Sequence, residues 1–197
     1  SLDEPISAED ANYLINIKGS DLYPLLATAD YLRQEIAGDN VTFINNCNIN
    51  FTNICTVRCG FCAFGKDADD PEAYILDDEA ILKKAQGAVD KGAHEFCVMG
   101  GVLPDADVEY YEHLLQLLKG EFPNIMIHGF SPTMIKDASV VSGISVEDAF
   151  ERLKSAGLDT LPGTAAEILT DRSREIICPE KVTTQEWIDI VKTAHEV

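Results

Sequence analysis

The chain of 197 residues carries 34 Asp and Glu residues against 15 Lys and Arg residues, and 46% of its residues are hydrophobic. This length suits one domain or part of a larger one, and the apolar content is enough for a core. The formal net charge of −19 argues against attraction to nucleic acid or to an anionic membrane, and it indicates either an acidic surface or a protein from a high-salt cytoplasm.

The start of the chain and its cysteines indicate an aqueous, reducing compartment. No apolar run approaches the roughly 18 residues of a membrane helix, and Ser1–Asp10 is acidic, without the positive segment of a signal peptide. We therefore expect a cytoplasmic protein whose six cysteines are reduced. Cys47, Cys97 and Cys178 stand singly in the sequence and are predicted to be small buried hydrophobes.

Two helices are predicted before the first strand. Ser7 caps the first, and apolar residues at three- and four-residue steps from Leu22 to Ile36 indicate a second helix that ends at Gly38. We expect residues 1–40 to form a helical cap and residues 41–197 to form the main domain.

Strands and helices alternate in the rest of the chain. Strands are predicted at residues 41–51, 94–99, 125–130 and 158–161. Helices are predicted after an acidic connection that leads to the cap Asp77, over residues 108–122, and after the caps Ser145 and Thr183.

Four such alternations favour right-handed βαβ units in a parallel sheet. A closed barrel of this kind takes about 250 residues, and fewer remain here after the two helices. The predicted fold class is therefore α/β, a parallel (β/α) barrel of which the first half, four βα units, is present and the C-terminal half is missing. The edge of the fourth strand would then be exposed.

Unusual residues follow the predicted strands at the ends where parallel α/β folds gather reactive groups. They are a cysteine loop after the first strand, Gly100-Gly101 after the second, His128 and Ser131 around the third, and Gly163–Glu167 after the fourth. We expect these groups to meet on one rim.

The cysteine loop holds Cys55, Cys59 and Cys62 in a Cys-x3-Cys-x2-Cys spacing. Three thiolates can bind three irons of a 4Fe–4S cluster and leave the fourth iron open to the amino and carboxylate groups of S-adenosylmethionine. A zinc site would need a fourth protein ligand, and the candidates Cys47 and His94 do not lie at usual zinc spacing. The local sequence favours the cluster.

The run Asn48–Phe64 resembles the cluster loop of radical S-adenosylmethionine enzymes, specifically those that build deazaflavin and menaquinone precursors. Dehypoxanthine futalosine cyclases of the menaquinone branch have Pro-Gly-Gly-Gly-Ala-Glu where this chain has Pro162–Glu167, with Thr164 and Ala165 in place of glycines. The segments similar to the other branch, the FO synthase subunit 2 family of coenzyme F420 biosynthesis, are Met99–Gly101, Ile127–Pro132, Asp159–Leu169 and Ile177–Lys181.

This resemblance, which covers the chain from about residue 40 onward, implies a barrel of the radical SAM type that continues past Val197. It implies two cofactors, a 4Fe–4S cluster and S-adenosylmethionine. The implied reaction joins the 4-hydroxybenzyl group of L-tyrosine to 5-amino-6-(D-ribitylamino)uracil. The implied partners are these substrates, FO synthase subunit 1 and an electron donor, with no nucleic acid and no membrane.

The resemblance also suggests residue roles. Cys55, Cys59 and Cys62 would bind iron as thiolates. The cofactor candidates are Phe61 for the adenine, Gly100 and Gly101 for the methionine moiety and Glu167 for the ribose or amino group, and the substrate candidates are Asn50 and His128.

Three alternatives remain open at this point. The chain could be the menaquinone-pathway cyclase, which shares cluster and barrel but acts on another substrate. It could be a non-catalytic zinc-binding module in which Cys47 completes the site. It could also be a half-barrel that is inactive as it stands, because an open barrel admits water and oxygen to a radical site.

Overall fold

The computed structural model describes residues 5–164 and 166–197, and the chain divides into two compact units at Phe43 and Ile44. The first unit holds helix α1 (Ala8–Ile15), a 3-10 turn (Gly19–Asp21) and helix α2 (Leu22–Ala37). Both predicted helices are confirmed, with Ser7 as the N-cap of α1 and Gly38 ending α2 at a φ of 65°. Residues 1–4 of the acidic start lie outside the described residues, and the role of this unit as a cap stays a prediction.

The second unit is built on a parallel sheet with the strand order β1 (Asn46–Asn50), β2 (Glu95–Met99) and β3 (Met126–Gly129). The first strand is shorter than the predicted 41–51. The reason is that β2 begins at Glu95, which pairs with Asn46, and the preceding ladder bond, from the His94 amide to the Asn45 carbonyl, is the last before the register runs out.

The predicted fourth strand is reduced to a single parallel bridge between His128 and Thr160. The carboxylate of Asp159 takes the place of a ladder partner, since its Oδ2 accepts from the Ile127 amide and from the Lys119 ammonium, both at 2.7 Å. The Gly129 amide donates to the Thr160 carbonyl at 3.0 Å. The prediction of four strands is therefore wrong among the described residues, because a side chain replaces the backbone partner there.

Helices cover one face of this sheet, and their N-caps explain where they begin. Asp77, Ser145 and Thr183 cap three of them as predicted, each accepting a backbone N–H from the first turn. The helices of the second unit are α3 (Asp78–Val89), α4 (Val108–Glu121), α5 (Pro132–Ser142), α6 (Val146–Ala156), α7 (Asp171–Ile177) and α8 (Thr184–Glu196).

Two of these helices, α5 and α7, are absent from the prediction. Ser131 is the N-cap of α5, and its hydroxyl accepts a hydrogen bond from the Met134 amide at 3.2 Å. The prediction that Ser131 belongs to the reactive groups is therefore corrected, because its hydroxyl caps a helix. Pro132 at the first position and Gly143 in the left-handed conformation at the end mark this helix in the sequence.

The core lies between the sheet and its helices. Ile49, Phe96 and Ile127 from the three strands are fully buried, and the rings of Tyr111 on α4 and Phe130 after β3 meet with centroids 4.6 Å apart. Cys178 is buried as predicted, whereas Cys47 and Cys97 are only partly buried, which corrects the prediction for these two. None of the helices formed by residues 5–164 and 166–197 is both long and apolar enough to cross a membrane.

Candidate functional site

The cysteine loop leaves the sheet where β1 ends. The Phe51 amide still bonds the Met99 carbonyl at 3.2 Å, and the chain then turns out of the ladder into the segment that carries Cys55, Cys59 and Cys62. Cys55 and Cys59 are partly buried and Cys62 is exposed. The predicted iron-binding residues therefore sit at the carboxyl end of the first strand.

The first part of this loop is fastened to the segment after β2. The Gly101 amide donates to the Thr52 carbonyl at 3.0 Å, and the Thr56 amide donates to the Val102 carbonyl at 2.9 Å. The Val102 amide in turn points at the Cys55 Sγ at 3.3 Å. The backbone around Cys55 is thus fixed by the neighbouring strand end.

Gly100 and Gly101 are needed for this close approach. A Cβ at Gly101 would lie 2.1 Å from the Ile54 carbonyl oxygen, and a Cβ at Gly100 would lie 2.9 Å from the Phe51 ring. Packing of the cysteine loop accounts for both glycines, and the Gly101 N–H is already donated within the chain. Contact of the two glycines with a methionine moiety stays a prediction.

The second part of the loop is fastened by a segment near the end of the chain. The Gly60 amide donates to the Ile177 carbonyl at 2.7 Å, and the Arg58 amide donates to the Glu180 carboxylate at 3.2 Å. The Lys181 ammonium lies over the Phe61 ring, 5.2 Å from its centroid. The Phe61 ring is 52% exposed, so much of its surface is open to another flat group.

Glu167 belongs to the same cluster of side chains. Its carboxylate accepts from the Lys181 ammonium and lies 4.0 Å from the Arg174 guanidinium, while its backbone has a positive φ of 21°. Phe61 and Glu167, which the resemblance assigns to the cofactor, are therefore joined through Lys181. Lys181 was not predicted as a site residue, and its only signal in the sequence is its place in the segment Ile177–Lys181.

The three thiols of the loop fit an iron–sulfur cluster in chemistry. Among residues 5–164 and 166–197, no three His, Cys, Asp or Glu side chains converge on one point. Burial raises the pKa of the Cys59 thiol, the Lys181 ammonium opposes this, and the thiols of Cys55 and Cys62 are near enough to act on it. Three neighbouring thiols suit a soft metal, and binding would release their protons.

The two candidates for a fourth zinc ligand, Cys47 and His94, lie at the other end of the sheet from the cysteine loop. Cys47 is the second residue of β1 and His94 precedes β2, so both lie towards the amino ends of their strands. The cysteine loop follows the carboxyl end of β1. Neither candidate has a described contact with the loop thiols.

A row of polar groups crosses the face of the sheet opposite the one that presents Ile49, Phe96 and Ile127 to the core. Asn48, Cys97 and His128 are partners in register on the three strands, and the His128 Nδ1 lies 2.6 Å from the Thr160 hydroxyl. Asn50 lies two residues further towards the cysteine loop on the same face. The structure thus places both substrate candidates on one surface, at different levels.

Cys97 and Thr160 in this row were missed as candidates. Burial, and secondarily the Glu95 carboxylate, raises the pKa of the Cys97 thiol, so it is neutral at pH 7. Side chains alternate between the two faces of β2, so Cys97 points away from the face that carries the buried Phe96 and Val98. This alternation could have identified Cys97 as a candidate from the sequence. The partnership of Thr160 with His128 depends on the bridge between their segments and has no local signal.

The chain matches the model of the Radical SAM superfamily over residues 49–197. It is 48% identical to the 5-amino-6-(D-ribitylamino)uracil–L-tyrosine 4-hydroxyphenyl transferase of Methanothermobacter thermautotrophicus, over 100% of this chain and 54% of that protein. It is 44% identical to the protein of the same name from a Nostoc species, over 100% of this chain and 52% of that protein. The chain thus spans about half the length of the curated relatives it matches.

The fold resembles that of solved structures as well. The FeFe-hydrogenase maturase HydG from Carboxydothermus hydrogenoformans superimposes with a TM-score of 0.73 at 18% identity, over 98% of this chain and 43% of that one. The parallel sheet with its helices is accordingly part of a (β/α) barrel, as expected from the alternation of elements.

Proposed function

Because this chain belongs to the radical SAM superfamily, whose members use a 4Fe–4S cluster and S-adenosylmethionine, we propose that it is a 4-hydroxyphenyl transferase of deazaflavin biosynthesis. The reaction joins the 4-hydroxybenzyl group of L-tyrosine to 5-amino-6-(D-ribitylamino)uracil. The observation that carries this proposal is the 48% identity along the whole chain to a transferase named for those two substrates.

The chain's own residues have distinct tasks in this proposal. Cys55, Cys59 and Cys62 hold the cluster as thiolates, and Phe61 packs against the adenine. When bound, the cofactor pair supplies abstraction of a hydrogen atom from the substrate by a carbon radical. The protein positions the reacting groups and keeps water away from them.

Further contacts are assigned by position. Glu167 accepts a hydrogen bond from the ribose or amino group, and Gly100 and Gly101 lie against the methionine moiety. Asn50 and His128 contact the substrates, supported by their place on the open polar face of the sheet. His128 would use Nε2, because its Nδ1 is engaged with Thr160.

The same proposal includes the setting of the enzyme. FO synthase subunit 1 closes the deazaflavin ring as a second radical enzyme, an electron donor would supply the electron that the cofactor chemistry needs, and the location is cytoplasmic. The relatives do not favour the cyclase or the zinc module. Ala165, one of the two residues that distinguish this chain from the cyclases, lies outside the described residues, and the carbonyl of the other, Thr164, accepts from the Trp187 indole at 3.3 Å.

Anaerobic reconstitution with iron and sulfide, followed by incubation with S-adenosylmethionine, a reductant, tyrosine and the diaminouracil, tests the function. We expect labile sulfide, broad absorbance in the visible range and formation of 5′-deoxyadenosine that requires tyrosine, with a coupled product that requires both substrates. The Cys59→Ala variant is the control and should lose all four signals. Bound zinc without labile sulfide, or 5′-deoxyadenosine formation that does not require tyrosine, would contradict the proposal.

A further inference from the structure

The segment Ile177–Lys181, here called the clasp, meets the cysteine loop from a distant part of the chain. Its two hydrogen bonds reach the amides of Arg58 and Gly60, which are the residues on either side of Cys59. Inside the loop, the Cys62 amide bonds the Cys59 carbonyl at 3.0 Å. The backbone on both flanks of Cys59 is therefore set by the clasp.

The clasp is itself held in place by buried contacts with Arg174 on α7. Arg174 on α7 is 3% exposed, and its guanidinium donates to the Val182 carbonyl and to the carbonyls of Ala166 and Ile168 at 3.1 and 3.2 Å. The Cys178 amide bonds the Arg174 carbonyl at 2.8 Å, and the Cys178 side chain is buried. A buried guanidinium that donates hydrogen bonds to several carbonyls fixes the backbone segments that carry them relative to one another.

The side chains of the clasp extend the same support to the next residues. Lys181 spans from the Phe61 ring to the Glu167 carboxylate, so one ammonium connects the loop with the segment before α7. Its side chain is 15% exposed, which keeps the contact largely out of water. Removal of this ammonium would take away the cation over the Phe61 ring and the Lys181 partner of the Glu167 carboxylate together.

We propose that the clasp is a positioning element for the cysteine loop, and that Glu180 and Lys181 are positioning residues which hold the loop backbone on both sides of Cys59 and the ring of Phe61 in place for a cluster and its cofactor. A metal site needs its ligands held to a fraction of an ångström by the groups around them, and here that support comes from a segment more than a hundred residues away in the chain. This inference depends on the cluster of the superfamily and not on the choice of tyrosine as substrate.

Hydrogen exchange of the Gly60 amide tests the clasp before any cluster is present. In the double variant Glu180→Ala/Lys181→Met we expect this amide to exchange about tenfold faster, with the amides of β2 unchanged. In the variant Glu180→Gln/Lys181→Arg, Gln keeps an acceptor oxygen at position 180 and Arg keeps the positive charge at position 181. This variant should show slow exchange like the unaltered chain. The matched control Lys136→Met breaks an ion pair of similar length with Glu186 on α8 and should leave Gly60 unaffected.

Iron and sulfide retention is the second readout. After reconstitution, the Ala/Met variant should lose its cluster to a chelator several-fold faster than the unaltered chain, and the Gln/Arg variant should not. Equal exchange at Gly60 and equal cluster loss in all variants would overturn the proposal. Neither measurement uses tyrosine or the diaminouracil, so failure of the proposed reaction and failure of the clasp are separate results.

Discussion

The two faces of the three-stranded sheet differ in almost every property. The helix-facing side presents Ile49, Phe96, Val98 and Ile127, all at 1% exposure or less. The opposite side presents polar or half-buried groups, among them the row that ends in His128. Strands covered on both faces by helices carry continuous apolar runs, so the asparagines of β1 fit a second face that is not packed in an apolar core.

A mutation pair across the two faces should show the largest effect. We expect Phe96→Ala to lower the free energy of unfolding by about 3–5 kcal/mol, because it empties a fully buried site beside Phe122. Asn48→Ala on the exposed side should change it by no more than about 0.5 kcal/mol. Urea unfolding measures both, and equal losses of stability would remove the distinction between a packed face and a polar face.

The sequence could predict the helix-facing half of this comparison because its signals are local. A cap such as Asp77 and an apolar stripe act within a few residues, so α3, α4, α6 and α8 were predicted correctly. Helix α5 was missed because its β-branched and polar residues blur the period, although Ser131-Pro132 and Gly143 mark its ends.

The other half depends on long-range partners. The cysteine spacing identified the superfamily, yet the hydrogen bonds from the Arg58 and Gly60 amides to the clasp join residues more than a hundred positions apart. The prediction of a fourth strand was wrong for a related reason. The Ile127 amide bonds a side-chain oxygen of Asp159 where a backbone carbonyl of the fourth strand was expected. No local pattern encodes either arrangement.

The glycine after β2 offers a sharper test of the loop side. Gly101→Ala forces a Cβ against the Ile54 carbonyl and the Cys55 Cβ, so we expect about 1–3 kcal/mol of destabilisation and a loss of iron binding. The control is Gly87→Ala on α3, where a Cβ meets nothing within 4 Å and helix propensity should raise stability by about 0.5–1 kcal/mol. Thermal unfolding and iron analysis separate the two, and a Gly101→Ala variant that binds iron normally would show that the loop tolerates displacement.

The polar row should respond to the loss of a single hydrogen bond. Thr160→Val keeps the shape but removes the partner of the His128 Nδ1, so we expect the ring to lose its tautomer preference and substrate binding to weaken by about 0.5–1.5 kcal/mol. Nitrogen chemical shifts of labelled histidine, assigned with His128→Gln, report the tautomer. Unchanged shifts together with an unchanged KM would remove His128 from the substrate surface.

The smallest expected effect lies away from both faces, at the start of α8. The hydrogen bond from Lys136 lowers the pKa of Glu186 to about 2. A depressed carboxyl pKa stabilises the fold above the ordinary value of 4.5 and loses that contribution as the pH falls towards about 2. Because the pair is partly exposed, Lys136→Met should flatten this acid dependence by less than about 1 kcal/mol, as denaturant titrations at several pH values would show.

The carboxylate of Asp159 affects whether two copies of this chain can pair through the edge of the sheet at β3. The outward amides of β3, those of Ile127 and Gly129, are already taken by the Asp159 side chain and the Thr160 carbonyl. A strand from a second molecule would have to displace a charged oxygen that the Lys119 ammonium also holds. Self-templated β-polymerisation at this edge is thus discouraged by one ionised side chain, much as a charged residue guards the rim of many natural sheets.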